Sequence, residues 1–352
     1  MDRLKEITQN ISSIDPLIIE KTKKRLDNLT KPLGSLGRLE ELAIQICGIK
    51  AQETPKLEKK IIFTLAADHG VTDEEVSAYP KEVTAQMVYN FLNGGAGINV
   101  LAKHVGAKVV VVDIGVASDL KPDPRLLVLK INYGTKNMAK EPAMTKDEAI
   151  KAILAGFKIF NDEFNKGADI IGTGEMGIGN TTAASAITAC ITKKPVEDIT
   201  GKGAGLNDSG LKKKIDIIKK SLLINQPDPT DPIDVLTKVG GFEIAGLVGI
   251  ILGAASKKVP VVIDGFISTS AALLAFEIEP KVKDYMIAAH KSVEGGHKVI
   301  LEYIGLKPLL DLNLRLGEGT GAALGLGLAD AAIKILTQMA TFDSANVSKE
   351  KK

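Results

Sequence analysis

Two lone carboxylates set among glycines are the residues of this chain best suited to chemistry. Glu175 lies in Gly172-Thr-Gly-Glu-Met-Gly-Ile-Gly-Asn-Thr-Thr182, and Glu318 lies in Leu312-Asn-Leu-Arg-Leu-Gly-Glu-Gly-Thr-Gly321. The first segment follows the apolar run Ala168-Asp-Ile-Ile171 and precedes a helix-like run from Ala183 to Ile191, so it reads as strand, glycine turn and helix. Such a turn aims backbone N–H groups and the positive end of a helix dipole at one point, an arrangement that holds phosphate. A carboxylate there repels phosphate, so Glu175 is expected to accept from a sugar hydroxyl or to orient the loop. Turns of this kind also serve as plain connections in α/β proteins, and the segment alone names no reaction. Glu318 stands just ahead of an apolar helix running from about Ala322 to Met339.

Other strand ends carry further candidates. Asp68 and His69 follow the first strand, where ligands of open α/β sheets gather; the competing reading is a turn in which Asp caps a helix. Asp264 ends a buried strand, so its carboxylate must be hydrogen-bonded, either holding a loop or touching a ligand. Ser292, after His290 and Lys291, offers a hydroxyl and an amide to a phosphate, or else caps a helix. Lys202, Lys212, Lys213 and Lys214 read as a solvated face. Gly201-Lys-Gly-Ala-Gly-Leu206 contains GxGxG but has no strand before it and no acid placed for a ribose, which weakens a dinucleotide reading. The four histidines (His69, His104, His290, His297) form no dense ligand pattern, and no metal is expected. There is no Walker A pattern, no nucleophile elbow and no base beside either cysteine.

These groups need a rigid frame, and six β-branched or aliphatic runs supply one: 61–65, 109–113, 126–131, 169–172, 259–263 and 285–288. Their alternation with helix-like segments predicts an α/β fold, a Rossmann-like three-layer structure with a parallel six-stranded sheet. Thr145-Lys-Asp-Glu148 matches a capping box ahead of Ile150, Ile153, Leu154, Phe157 and Phe160. Residues 80–91 and 211–223 read as amphipathic helices starting at Pro80 and near Asp208. The first sixty residues show helical periodicity and no strand. The expected organisation is therefore an N-terminal helical segment (1–60) that packs with the C-terminal helix (319–342) as a smaller helical domain. A catalytic domain (61–318) lies between them, and a flexible tail (343–352) follows. No internal repeat is evident.

Composition narrows the classes. The 352 residues have no Trp and few aromatics, which suits a dense α/β interior. A net charge of +2 gives no electrostatic case for nucleic acid or a membrane surface. Cys47 and Cys190 lack CxxC spacing and read as buried thiols of a reducing compartment. The N-terminus mixes acids with bases and has no apolar core of a signal, and the apolar stretch around 245–255 is too short to span a bilayer. The expectation is a cytoplasmic protein. Lys349, Lys351 and Lys352 read as a solvated end.

The glycine and acid motifs, with Ala67-Asp-His-Gly-Val71, Gly94-Gly-Ala-Gly-Ile-Asn-Val100, Asp264-Gly-Phe-Ile-Ser-Thr-Ser-Ala271, Ala289-His-Lys-Ser-Val-Glu-Gly-Gly-His297 and Thr30-Lys-Pro-Leu-Gly-Ser-Leu-Gly-Arg-Leu-Glu-Glu-Leu42, occur in an order that resembles the nicotinate-nucleotide:dimethylbenzimidazole phosphoribosyltransferases of cobalamin biosynthesis. The resemblance runs from about Thr30 to Ala340. It implies transfer of 5-phosphoribosyl from nicotinate mononucleotide to a benzimidazole, without cofactor, by a homodimer. It implies Glu318 as the base, suited by glycines that admit a flat ring and by Leu314 and Leu316 that desolvate the carboxylate; the competing role is a cap on the helix that begins near Gly319. Phosphate binding would fall to Gly177, Gly179, Asn180, Thr181, Gly203, Lys214 and Ser292, with Glu175 near the ribose or the nicotinate and Asp264 near the ligand. Tyr79, Gln86, Met87 and Leu316 would line the base. Tyr79 stands where the family pattern has a small hydroxyl residue, and Gln86 is displaced by one position, which bears on which azole is accepted. Three other readings remain at this level: a Rossmann-type oxidoreductase, a non-catalytic nucleotide-binding subunit, and transfer from phosphoribosyl pyrophosphate, for which the expected acidic pair is missing.

Overall fold

The computed structural model describes residues 2–348. Six parallel strands form its centre: β1 (Lys60–Ala67), β2 (Ala107–Gly115), β3 (Leu126–Val128), β4 (Ile170–Met176), β5 (Val261–Ile263) and β6 (Met286–Ala288). Their spatial order is β3-β2-β1-β4-β5-β6, so the winding direction reverses between β1 and β4. A crevice must open at the carboxyl ends of these two strands, because the connections leave them toward opposite sides. All six runs expected from the sequence are strands. The largest revision is at β4, which continues to Met176 and so places Glu175 within the strand.

Side chains alternate across the sheet and divide the core in two. Ile61, Phe63 and Leu65 pack with Ile153, Phe160, Leu247 and Leu274, whereas Ile62, Ala66 and Val111 face Ile46, Phe91, Ile98 and Leu326. One layer thus contains the helices Lys146–Phe164, Asn180–Thr192, Phe242–Ser256 and Phe266–Ile278. The other contains Arg38–Lys50, Val83–Leu92, Gly97–Val105 and Thr320–Gln338. The capping box at Thr145 forms: its Oγ1 accepts from Glu148 N at 3.2 Å and Glu148 Oε2 accepts from Thr145 N at 2.8 Å. The helix expected from Pro80 begins at Val83, and the one expected from Ala183 begins at Asn180.

No strand precedes Lys60 among the described residues, and the helices Asp2–Gln9, Pro16–Asp27 and Arg38–Lys50 fill that stretch. Residues near 29 and 341 meet, with Thr30 N donating to Ala340 O at 3.0 Å and Phe342 N to Asn28 O at 3.0 Å. Among the described residues one helix, Thr320–Gln338, is long and apolar enough to cross a bilayer. It is packed into the core instead, with Ala322, Leu326, Ala329, Ile333 and Leu336 buried. Cys47 is buried, Cys190 is half-buried, and both are free thiols. Of the expected tail, Phe342–Ala345 is a short helix, and Lys349, Lys351 and Lys352 lie outside the described residues.

Candidate active site

At the carboxyl ends of β1, β4, β5 and β6 lies a cavity of about 490 Å³. Its walls include Tyr79, Met87, Glu175, Gly177, Gly179, Asn180, Thr181, Gly203, Lys214, Ser292, Leu316 and Glu318. Two residues expected there are not on the wall. Gln86 is exposed and is not among the lining residues, although Val83 and Met87 of the same helix are. Asp264 stands behind the wall, fully buried, where its carboxylate accepts from Gly319 N at 3.2 Å and Ala322 N at 2.9 Å. It therefore satisfies the start of the helix Thr320–Gln338, which has no side-chain cap of its own.

That anchor fixes Glu318. Residues 317–319 are all left-handed, with φ of 84°, 64° and 98°, and a glutamate held there costs about 1 kcal/mol or more. The turn is locked by Asp264 from one side and by Thr64 Oγ1, which donates to Glu318 O at 3.0 Å, from the other. Gly174 makes the approach possible, since a Cβ there would stand 2.3 Å from the Glu318 carbonyl oxygen. The side chain reaches the helix Gly97–Val105, whose N-cap Ala96 has no acceptor, and Glu318 Oε2 takes the Ile98 N–H at 3.0 Å. The glycine run at 94–97 thus delivers a helix N-terminus to the acid, a link invisible in the sequence. Glu318 does act as a cap, but of this distant helix.

Burial raises the Glu318 pKa, the Ile98 amide lowers it and Asp264 raises it again, leaving it above the ordinary carboxylate range. Leu316 is itself 61% exposed, with its Cδ2 packed at Gly97 beside the Glu318 carboxylate. The strand ends and the Gly97 helix start cover the carboxylate as well. Glu175 is pushed further, to about 8, by burial and then by Asp264, Glu243 and Glu318, against a hydrogen bond from Asn180 Nδ2. At neutral pH Glu175 is thus mostly the neutral acid. The Asn180 amide is engaged by Glu175 in this state.

A stability test follows from the sign of this shift. Unfolded Glu175 ionises near 4.5, whereas the folded group holds its proton to about 8. Its contribution to stability is full below the lower value and is lost as pH rises through that window. Glu175→Gln should therefore raise Tm relative to wild type by on the order of several degrees at pH 8.5 and by little at pH 4.5. Equal Tm differences at both pH values would contradict the assignment.

The phosphate end is built from several elements. Lys214, on the helix Asp208–Asn225, is fully buried and donates to Thr181 Oγ1 at 2.7 Å; it is not part of a solvated face. Burial pulls its ammonium down to about 8, with Glu294 opposing. The Ser292 amide donates to His297 Nδ1 at 3.0 Å, so only the hydroxyl remains for a ligand. His297 Nε2 is 3.0 Å from Thr269 Oγ1, and burial lowers its pKa to about 3, so this histidine is a neutral strut. No group of three or more His, Cys, Asp or Glu residues able to hold a metal occurs among the described residues.

Beneath the Gly177–Gly179 turn lies a pair of which the sequence motifs disclose only His69. His69 Nε2 meets Glu243 Oε1 at 2.7 Å, and both are buried. Burial pulls the imidazole pKa down, but Glu243 and then Asp68 pull it up, and the net shift is upward. Asp68 accepts from Ala117 N at 2.7 Å and ties the β2 connection to the same floor. Glu243 gave no signal because it lies in an apolar helix start, Gly241-Phe-Glu-Ile-Ala, which resembles any buried helix.

A model of a phosphoribosyltransferase family matches residues 11–347 of this chain. The nicotinate-nucleotide–dimethylbenzimidazole phosphoribosyltransferase of Geobacter metallireducens is 57% identical over 99% of both chains, and that of Geobacter sulfurreducens is 55% identical over 99% of both. The crystal structure of the enzyme so named from Thermus thermophilus superposes with a TM-score of 0.91 at 44% identity, covering 96% of this chain and 100% of that one. Sequence, sheet order and the acid-lined cavity at the switch point converge, and the chain belongs to the nicotinate-nucleotide–dimethylbenzimidazole phosphoribosyltransferase family.

Proposed function

We propose that this cavity transfers the 5-phosphoribosyl group of nicotinate mononucleotide to 5,6-dimethylbenzimidazole or a related azole, giving α-ribazole 5′-phosphate and nicotinate for the lower ligand of a cobamide. The observation that carries the reading is a buried carboxylate of raised pKa, Glu318, in one cavity with a buried lysine and a glycine turn. The azole nitrogen attacks C1′ of the ribose as the bond to the nicotinate ring nitrogen breaks. The bonding electrons return to the pyridinium, so the leaving group needs no acid. The azole N–H proton passes to Glu318. Lys214, Thr181, the Ser292 hydroxyl and the amides around Gly177 and Gly179 hold the phosphate, and Glu175, as a neutral acid, faces the ribose or the nicotinate. Tyr79, Met87 and Leu316 form the azole wall.

The assay is direct: purified protein, nicotinate mononucleotide and a benzimidazole, followed for nicotinate release. EDTA should leave the rate essentially unchanged, because the donor carries no pyrophosphate for a divalent cation to bridge. Strict magnesium dependence, or activity only with phosphoribosyl pyrophosphate, would sink the assignment. A homodimer is the assembly we propose, as the family resemblance implies, and the free thiols at Cys47 and Cys190 support a cytoplasmic location.

A further inference from the structure

A carboxylate is the wrong neighbour for a phosphate, yet one sits at that end of the cavity. Glu294, in the connection after β6, is buried and lines the same wall as Lys214, Thr181 and Gly203. Its Oε1 accepts from Gly203 N at 3.1 Å, which is one of the amides a phosphate would use. Its Oε2 is buried with no hydrogen-bond partner among the described residues, lying so close to Gly201 that a Cβ there would stand 2.0 Å from it. Gly203 is held from its other side by Arg315 Nη1, which donates to its carbonyl at 3.4 Å. A Cβ on Gly203 would lie 3.3 Å from Lys214 Nζ and 3.0 Å from Thr181 Oγ1, so Gly203 sits between the lysine and the carboxylate.

We propose that Glu294 is the resident counter-anion of the phosphate pocket: in the empty site it holds the Gly203 N–H and offsets the charge of Lys214 without touching it, and the incoming 5′-phosphate takes over both roles. The inference rests on the reading of this end of the cavity as the donor-phosphate site.

Three features carry it. Among the described residues, the buried Lys214 ammonium donates only to a neutral hydroxyl, and an ammonium in that setting needs an anion nearby to stay charged. Glu294 is the group that pulls its pKa back up. Of the other cationic groups on this wall, Arg315 donates to the Gly203 carbonyl at 3.4 Å and Lys202 pairs with Asp208 at 2.7 Å in solvent, and neither forms an ion pair with Glu294 among the described residues. Finally, the Glu294 carboxylate is incompletely satisfied where it sits, since among the described residues Oε2 has no hydrogen-bond partner and the Gly203 N–H is the one bond to its side chain. Glu294 thereby lowers affinity for every phosphate-bearing ligand, the released product included, and keeps the lysine charged between turnovers.

The sign of this effect separates it from a loop clamp. Glu294→Gln keeps an oxygen for Gly203 and removes only the charge, so like-charge repulsion with the ligand phosphate disappears. Inorganic phosphate, tested at pH 6.5 as a competitive inhibitor against nicotinate mononucleotide, should then inhibit on the order of tenfold more strongly. The phosphate-induced rise in Tm should grow in step, which gives the same comparison without turnover. Glu294→Ala, which also removes the acceptor, should move in the same direction. Unchanged or weaker phosphate binding in Glu294→Gln would overturn the proposal and leave Glu294 as a clamp on the turn. If Lys214→Met leaves phosphate binding as in wild type, the pocket itself is misread, and the proposal falls with that reading. Phosphate binding to none of the proteins overturns it as well.

Discussion

Glu318→Gln should reduce turnover by roughly a hundredfold or more while KM for nicotinate mononucleotide and Tm stay near wild type. The structure makes this substitution clean, because the amide oxygen of Gln can still accept the Ile98 N–H that Glu318 now takes. What is lost is the capacity to receive the azole proton. Glu318→Ala separates the two jobs of the residue: it should lose turnover to a similar extent and, in addition, about 1 kcal/mol of stability, because the Ile98 N–H at the start of the helix Gly97–Val105 then has no side-chain acceptor. The pH profile adds a second signature. Burial and Asp264 hold Glu318 above the ordinary carboxylate range, so kcat/KM should fall on the acid side as the base is protonated, and that limb should vanish in Glu318→Gln. Near wild-type turnover in Glu318→Gln would move the role elsewhere. Glu175 is then a poor substitute as a base at neutral pH, since it stays protonated to about 8.

The difference between these two acids marks the limit of what the sequence discloses. Both stand alone among glycines, and both line the cavity, although the sequence also allowed each a bland role, orienting its loop for Glu175 and capping a helix for Glu318. Their division of labour was not legible. It depends on how many other carboxylates share the buried space: Glu175 feels Asp264, Glu243 and Glu318 together, whereas Glu318 has the Ile98 amide in compensation. The six strands were readable from their aliphatic runs, since a parallel sheet buried on both faces leaves little else to place there. Element starts were less readable. Asn180 opens its helix three residues ahead of the apolar run because Gly179, at φ 91°, turns the chain there, and polar Asn-Thr-Thr carries no helical periodicity. Glu243, Glu294 and Gln86 show the same limit at the level of side chains. The first two are placed by contacts 174 and 91 residues away in sequence, and the third is exposed on a helix whose Val83 and Met87 line the cavity. Local pattern determines which segments become elements, and tertiary packing determines which side chains share a pocket.

Lys214 is the residue on which bland and functional readings diverged most, and its replacement carries the second large effect. In Leu211-Lys-Lys-Lys-Ile215 three lysines in a row suggest solvent, but only one can lie on the inward face of a helix. That one is Lys214, fully buried, with its ammonium against Thr181 and the cavity. Lys214→Met keeps the stem and removes the charge, and it should weaken donor binding by about 2 kcal/mol, roughly thirtyfold, the worth of a charge-assisted hydrogen bond to phosphate. Stability should hold or improve. Burial lowers the folded-state pKa to about 8 from the ordinary lysine value of 10.5, so the charged lysine costs stability at every pH below that window, and the cost is relieved only as pH rises through it. The same ionisation sets a basic limb on donor capture, because above about 8 the free enzyme loses the ammonium that receives the phosphate. In wild type kcat/KM for nicotinate mononucleotide should therefore decline above about pH 8, and in Lys214→Met that decline should be shallower, with only the Glu175 ionisation left in it, on a baseline about thirtyfold lower. A variant that binds the donor as tightly as wild type would place the phosphate away from Lys214, and the orientation of the donor in the cavity would have to be reversed.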